Sequence, residues 1–167
     1  LLMASRLQSE GVLRLNMGEV ALDELVADVL ERFKTQTNQH QFVLEFQENF
    51  PTIQGDEARL RQVFDNLISN AIKYSPDGGL IKISGQYTDD LVQITVQDNG
   101  IGISSTDVTK IFDRFFRAQE AIEKGLPGTG LGLFLVRVII EAHGGQIWAK
   151  PNQGQPGTTF ILTLPRR

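Results

Sequence analysis

The chain of 167 residues has no cysteine, so disulfides and zinc–thiolate centres are excluded, and a cytoplasmic setting is the consistent expectation. It also lacks any run of eighteen apolar residues and any signal-peptide pattern at its start. Positive charge is in slight deficit, with 16 Lys and Arg against 20 Asp and Glu, a net charge of -4 and no basic arm. That balance argues against nucleic acid as the partner. No initiator methionine stands before Leu1-Leu2, and the chain reads as a fragment of a longer protein whose membrane attachment is left open. What is present is ordinary globular material, 41% apolar and 22% charged, enough for one domain with its own core.

Periodicity outlines the elements. Residues 1–10 have helical character and stop at Gly11, a residue type that ends helices. Val12 to Asn16 alternates as a strand does, and Leu22 to about Thr37 is amphipathic, with Leu22, Leu25, Val26, Val29, Leu30 and Phe33 on one side. Phe42, Leu44 and Phe46 alternate with polar neighbours and predict a further strand. Asp56 is placed to cap a long helix ending near Ser75-Pro76. Ile81 to Gly85 and Leu91 to Gln97 predict a strand pair around the Thr88-Asp89-Asp90 turn. Ser104 with Asp107 fits a capping box ahead of a short helix through Phe112. From Asp113 to Pro127 the pattern dissolves, which predicts a mobile segment. Gly130 to His143 predicts a helix closed by Gly144-Gly145, and Gln146 to Lys150 and Thr158 to Leu164 predict two last strands. Amphipathic helices interleaved with neighbouring strands call for an α/β fold, a two-layer sandwich with a mixed sheet.

Three stretches carry chemistry. On the long helix, Arg59, Gln62, Asn66, Asn70 and Lys73 fall within about 80° of one another at 100° per residue. Arg59 and Gln62 are read as a solvated face. Two asparagines in mid-helix are less easily dismissed, because Asn is a mediocre helix former. The Asn70 amide oxygen suits Mg²⁺, which takes few protein ligands and completes its shell with phosphate and water. Lys73 would reach phosphate oxygens, and Tyr74 could lay its ring against a base. Next comes Asp98-Asn99-Gly100-Ile101-Gly102, where turn chemistry alone accounts for Asn99 and Gly100. It does not ask for Gly102 between two isoleucines, which suggests pocket walls approached by a flat ligand, with Asp98 accepting from an adenine amino group. The third stretch, Gly128-Thr129-Gly130-Leu131-Gly132-Leu133, opens a helix whose first amides are free for anions. It is neither a Walker loop nor a Rossmann fingerprint. Arg114, Arg117 and Lys124 precede it as cations able to close over a triphosphate, although Lys124 is read as a surface charge.

Taken in order, these stretches resemble the catalytic ATP-binding domain of sensor histidine kinases, in the wider GHKL superfamily, over nearly the whole chain. Leu67 to Ser75 is similar to the family's N box, Asp98 to Gly102 to its first glycine box, Ile111 to Arg117 to its F box and Gly128 to Leu133 to its second glycine box. The resemblance implies the Bergerat fold, a mixed sheet of about five strands covered on one face by about three helices. It implies ATP and Mg²⁺ as cofactors, with Asn70 the metal ligand and Asn70, Lys73 and Arg117 acting in catalysis. Asn66, Tyr74, Asp98, Gly100, Gly102, Phe115, Gly128, Thr129, Gly130, Leu131, Gly132 and Thr158 complete the implied nucleotide site. Residues 113–127 would form the ATP lid within a catalytic domain over 11–167. Residues 1–10 resemble the end of a dimerisation helix whose remainder carries the phosphoacceptor histidine. Implied partners are those helices and a response regulator receiver domain, with the fragment a monomer and its parent a homodimer.

Competing readings remain. ATP-hydrolysing relatives place a water-activating Glu one helical turn before the metal asparagine, where this chain has Asn66, and Asp65 points about 100° away. A serine-kinase relative of the anti-sigma class lacks a dimerisation helix upstream, so residues 1–10 argue against it. A degenerate, non-catalytic module stays open.

Overall fold

A computed structural model describes residues 13–167, so the helix expected over 1–10 lies outside the described residues. The strands are β1 (Gly18–Val20), β2 (His40–Phe46), β3 (Ile53–Gly55), β4 (Gly79–Tyr87), β5 (Leu91–Gln97), β6 (Gln146–Pro151) and β7 (Thr158–Pro165). The helices are α1 (Leu22–Lys34), α2 (Glu57–Lys73), α3 (Gln119–Glu123) and α4 (Gly132–Ala142).

Five strands form the main sheet in the order β2-β4-β5-β7-β6, parallel between β2 and β4 and antiparallel elsewhere. The period of two puts alternate residues on one face. One buried row across the sheet is Ile83, Val96 and Phe160, and the next is Gly85, Ile94 and Leu162. The opposite face carries Lys82, Ser84, Gln93, Thr95 and Gln97, all partly exposed. Helices α1, α2 and α4 cover the apolar face as one layer, α2 packing between the other two. It buries Leu60, Val63, Phe64, Leu67, Ile68 and Ala71, a stripe at helical spacing that a sheet can cover. The mixed two-layer sandwich is therefore the observed fold.

Three local expectations need correction. Of the alternation expected from Val12 to Asn16, the described part does not become a strand, since residues 13–17 have no regular structure and β1 begins at Gly18. The Asn16 N–H donates instead to Asp56 Oδ2 at 2.8 Å, which commits this backbone to the start of α2 rather than to a ladder. After Ser104 the expected short helix is a string of turns over 105–112. Ser104 Oγ does accept from the Asp107 N–H at 3.2 Å and the Val108 N–H reaches back four residues to the Ser104 carbonyl, but the closures after that single turn reach back only three, Lys110 to Asp107 and Asp113 to Lys110. The β-branched Thr106, Val108 and Thr109 disfavour continuation into a helix. Finally, the stretch 113–127 is not wholly irregular, because α3 forms inside it.

The start of α2 is fixed by a buried histidine. Asp56 caps the helix by accepting from the Arg59 N–H at 3.1 Å, while its own N–H donates to His143 Nε2 at 3.0 Å. His143 Nδ1 lies 2.8 Å from the Ile139 carbonyl and donates to it, so the neutral ring joins the C-terminal end of α4 to the N-cap of α2. Replacing His143 by Ala would leave a cavity and an orphaned Asp56 N–H, and should destabilise the chain by about 2–4 kcal/mol. Urea unfolding checks this; a loss below about 0.5 kcal/mol would show that the clamp is not structural.

Candidate functional site

The C-terminal half of α2, the end of β5, the start of α4 and the segment 113–127 meet around two adjoining pockets. Their packed faces leave the polar stripe of α2 uncovered, which is why the cleft forms there. Asn66, Asn70, Lys73 and Tyr74 all line it. Asn66 Nδ2 donates to the Gly132 carbonyl at 3.4 Å and so ties α2 to the glycine loop. The Lys73 ammonium sits over the Tyr74 ring, 4.9 Å from its centroid. Burial, and then the Arg117 guanidinium, push the Lys73 pKa below its usual value. The Tyr74 hydroxyl is pushed up by burial, with Arg117 opposing. Asp65 lies off this face, paired with Arg32 of α1.

The more enclosed pocket, about 470 Å³, has Asp98 as its buried acid. Ile101, Ile103, Ile111, Phe116, Leu133 and Phe160 supply apolar walls, with Gly102, Thr158, Tyr74 and Arg117 completing it. Asp98 is 3% exposed, and its Oδ1 accepts from the Gly100 N–H at 2.9 Å and the Thr158 N–H at 3.4 Å. Burial raises its pKa to about 6, the two backbone donors offsetting part of the rise. A buried carboxylate among apolar walls can accept from one amino group and disfavours a carbonyl. Gly100 is not in the wall: the turn packs so closely on the end of α2 that a Cβ there would overlap the Tyr74 carbonyl. Its role is to seat the turn, and Ile101 then donates to Tyr74 O at 2.9 Å.

The wider pocket, about 750 Å³, lies at the glycine loop, lined by Gly128, Thr129, Gly130 and Gly132 opposite Asn70, Lys73 and Arg117. A Cβ on Gly128 would sit 3.4 Å from Lys73 Nζ and 3.5 Å from Arg117 Nε. Arg117 donates to the Leu126 carbonyl, but its Nε is buried with no hydrogen-bond partner. The N-cap residue Leu131 offers no side-chain cap to α4, and only its own N–H is met, by Thr129 Oγ1 at 3.3 Å. Two neighbouring cations, an orphaned N–H and uncapped helix amides are an environment short of an anion. Among the described residues no group of three or more His, Cys, Asp or Glu could hold a metal ion. A magnesium ion would fit here by sharing ligand phosphates with the Asn70 amide oxygen.

Besides Gly100, two expected contacts are absent from the cleft. Phe115 is 59% exposed, at φ 67°, with the Arg114 guanidinium over its ring, and the residue lining both pockets is its neighbour Phe116. The cause is local: the Phe115 N–H donates to the Gly130 carbonyl at 2.8 Å, which turns the backbone and sends successive side chains opposite ways. Leu131 is buried with Phe134 and Val138 in a small cluster of its own, outside both pockets. The sequence reading also missed Ile111, Ala118, Ala121, Leu133 and Phe160. Ala118 and Ala121 reach the enclosed pocket because α3 lies across it. A stripe of two small residues three apart was the only available signal.

Comparison with known proteins agrees with this geometry. The family described as "Histidine kinase-, DNA gyrase B-, and HSP90-like ATPase" matches residues 55–167. Sensor histidine kinase WalK of Bacillus subtilis is 43% identical over 143 residues, covering 82% of this chain but only 23% of WalK. The nucleotide-free catalytic domain of histidine kinase ThkA superposes with a TM-score of 0.79 at 31% identity, covering 91% of this chain and 99% of that domain. ThkA in complex with the response regulator protein TrrA also superposes, at a TM-score of 0.76 and 28% identity, over 90% of this chain and 42% of that one. With its five-stranded mixed sheet and its match to that family over residues 55–167, the chain belongs to this ATPase family and is the catalytic ATP-binding domain of a sensor histidine kinase.

Proposed function

We propose that the chain binds Mg-ATP across the cleft, adenine in the enclosed pocket and triphosphate at the glycine loop, and presents the γ-phosphoryl group to a histidine on the dimerisation helices of its parent. The observation carrying this reading is the polarity of the cleft, one buried carboxylate at its apolar end and two cations without acidic partners at the other. Asp98 accepts from the adenine amino group, and Tyr74 flanks the ring. Lys73, Arg117 and the amides of 128–132 hold the phosphates. Asn70 ligates Mg²⁺, which supplies charge neutralisation when bound. The histidine imidazole forms the new N–P bond as the β–γ bridging P–O bond breaks, and ADP leaves. On this reading residues 1–10 end a dimerisation helix, the parent is a homodimer, and the phosphoryl group passes on to a receiver domain, as the ThkA–TrrA complex suggests.

Hydrolysis is less well supported. Asn66 cannot activate water, and Asp65 is occupied by Arg32. Nor does the chain carry a free acceptor: both ring nitrogens of His143 are engaged, and those of His40 contact Thr37 Oγ1 at 2.7 Å and Ser75 O at 2.8 Å. Incubation with labelled ATP should therefore leave no acid-labile phosphohistidine on this chain, whereas label on either histidine would refute the division of labour.

Calorimetric titration with a nonhydrolysable ATP analogue tests the site itself. Binding should tighten with Mg²⁺, and Asn70→Ala should abolish that tightening while sparing the metal-free affinity. Equal losses with and without Mg²⁺ would remove Asn70 as the ligand.

Asp98→Asn should act in opposite directions on binding and stability. ATP affinity should fall by about 1.5–3 kcal/mol as a charge-assisted bond is lost. The native pKa lies above the unperturbed 3.8, so the wild-type side chain's contribution is complete below that value and lost as pH rises through about 6. The ionised group thus lowers stability at pH 7 by on the order of 3 kcal/mol. Urea unfolding without ligand should show Asp98→Asn the more stable at pH 7, with the gain gone near pH 4. A destabilised variant at pH 7 would contradict the buried-carboxylate argument.

A further inference from the structure

The loop between β6 and β7 runs Asn152-Gln153-Gly154-Gln155-Pro156-Gly157 and contributes no side chain to either pocket. Its first residue nevertheless reaches the site from behind. Asn152 Nδ2 donates to the main-chain carbonyl of Asp98 at 2.7 Å, and also to the Pro156 carbonyl at 3.0 Å. Asn152 Oδ1 accepts from Thr159 Oγ1 at 2.7 Å, and its N–H donates to the Gly157 carbonyl at 3.1 Å. The amide thus spans the two chain segments that meet under the pocket, Asp98 just past the end of β5 and Thr159 in β7.

What lies between those anchors gives the contact its meaning. The Asp98 N–H donates to the Thr158 carbonyl at 3.0 Å, and the Thr158 N–H returns a bond to the Asp98 carboxylate. Thr158 itself is 3% exposed and lines the enclosed pocket. Asn152 grips one residue beyond this pair on one side and the carbonyl of the same Asp98 on the other. Gly157 permits the close approach: it sits at φ 113°, and a Cβ there would overlap the Asp98 carbonyl oxygen. An ordinary turn-closing asparagine would satisfy its own loop, as the Pro156 and Gly157 bonds do. The bonds to Asp98 and Thr159 leave the loop, and both end on the backbone frame that aims one carboxylate. Only an amide of this length donates twice and accepts once here; Asp would set a negative charge against two carbonyls, and Ser lacks the reach for all three partners.

We propose that Asn152 is a positioning residue for base selection, holding the main chain of Asp98 so that its carboxylate stays aligned with the amino group of an adenine and against the carbonyl of a guanine. This rests on reading Asp98 as the base acceptor, and it adds a determinant outside the nucleotide cleft and outside the four boxes that mark it.

The test is the ratio of affinities for nonhydrolysable ATP and GTP analogues, measured by calorimetry on the full chain with Mg²⁺, for wild type, Asn152→Ala and Asn152→Ser. Wild type should favour the ATP analogue. Asn152→Ala should lower that preference about tenfold, the scale of one misaligned charge-assisted hydrogen bond, with GTP-analogue binding unchanged. Asn152→Ser, which keeps one hydroxyl, should fall between. In ¹H–¹⁵N spectra the Gly100 and Thr158 amides, which donate to the Asp98 carboxylate, should move in both variants. If Asn152→Ala does not fold, the serine variant alone decides. Equal weakening toward both nucleotides, or an unchanged ratio with those amides unmoved, overturns the role of Asn152 while leaving the Asp98 reading intact. A wild-type chain with no preference between the analogues overturns the Asp98 reading, and the proposal with it.

Discussion

Helix α2 has to serve two surfaces at once, and everything at the cleft depends on its being held at one rotation about its axis. Its apolar stripe from Leu60 to Ala71 is buried on the sheet, and its polar stripe from Asn66 to Lys73 lines the cleft. Turning the helix by one residue, 100°, would bury Asn70 in the place of Ala71 and expose Ile68 in the place of Ser69. Burial of the stripe opposes that rotation through several kcal/mol of lost apolar contact. The two ends are pinned as well: Asp56 is held by His143 and Asn16 at the start, and Tyr74 O receives Ile101 at the finish. Packing of the core and aim of the polar residues are one constraint, not two.

Against that rigid frame the cleft is deliberately uncomfortable. An acid is buried where its charge is disfavoured, two cations lie together beside a glycine loop, and an arginine nitrogen has no partner. Each of these lowers the stability of the ligand-free chain, and each is relieved by a molecule carrying an amino group at one end and negative charge at the other. The uneven electrostatics therefore describe the ligand more closely than the shape of either pocket does. Such sites are the usual place where stability is given up for binding.

How much of this was legible in the sequence depended on whether a residue's partner was near in sequence or its pattern periodic. Strand β5 was readable to the residue because Val92, Ile94 and Val96 alternate against a buried face, and the Asp56 cap because its acceptor role is local. The lid was not. Ser104 and Asp107 do make the capping contact, yet three β-branched residues turn the following chain into turns, and a Phe115 bond to Gly130 swaps which phenylalanine faces the cleft. Neither effect has a period. Leu131 falls in a motif but packs away from it, against Phe134 and Val138 of the helix that follows. Asn152 was invisible for another reason: its key partner is a backbone carbonyl 54 positions away, and main-chain atoms carry no sequence signature.

The placement of carboxylates bears on which reaction the cleft is built for. A hydrolytic site needs a base within reach of the terminal phosphate, and a transfer site must keep water there unactivated until the acceptor arrives. Here three acids on or beside α2 are committed elsewhere: Asp65 to Arg32, Asp56 to the helix cap, Asp98 to the far end of the cleft. Asn66, at the position a base would take, spends its amide on Gly132 and stiffens the glycine loop instead. Both histidines are likewise occupied by backbone or hydroxyl partners. On the function proposed above, the domain holds the phosphoryl donor and withholds every nucleophile of its own, so that the reaction waits on a group brought by another part of the protein. Coupling a signal to phosphorylation then requires only that the second part be moved into place, and the chemistry of the cleft need not change between the resting and active states.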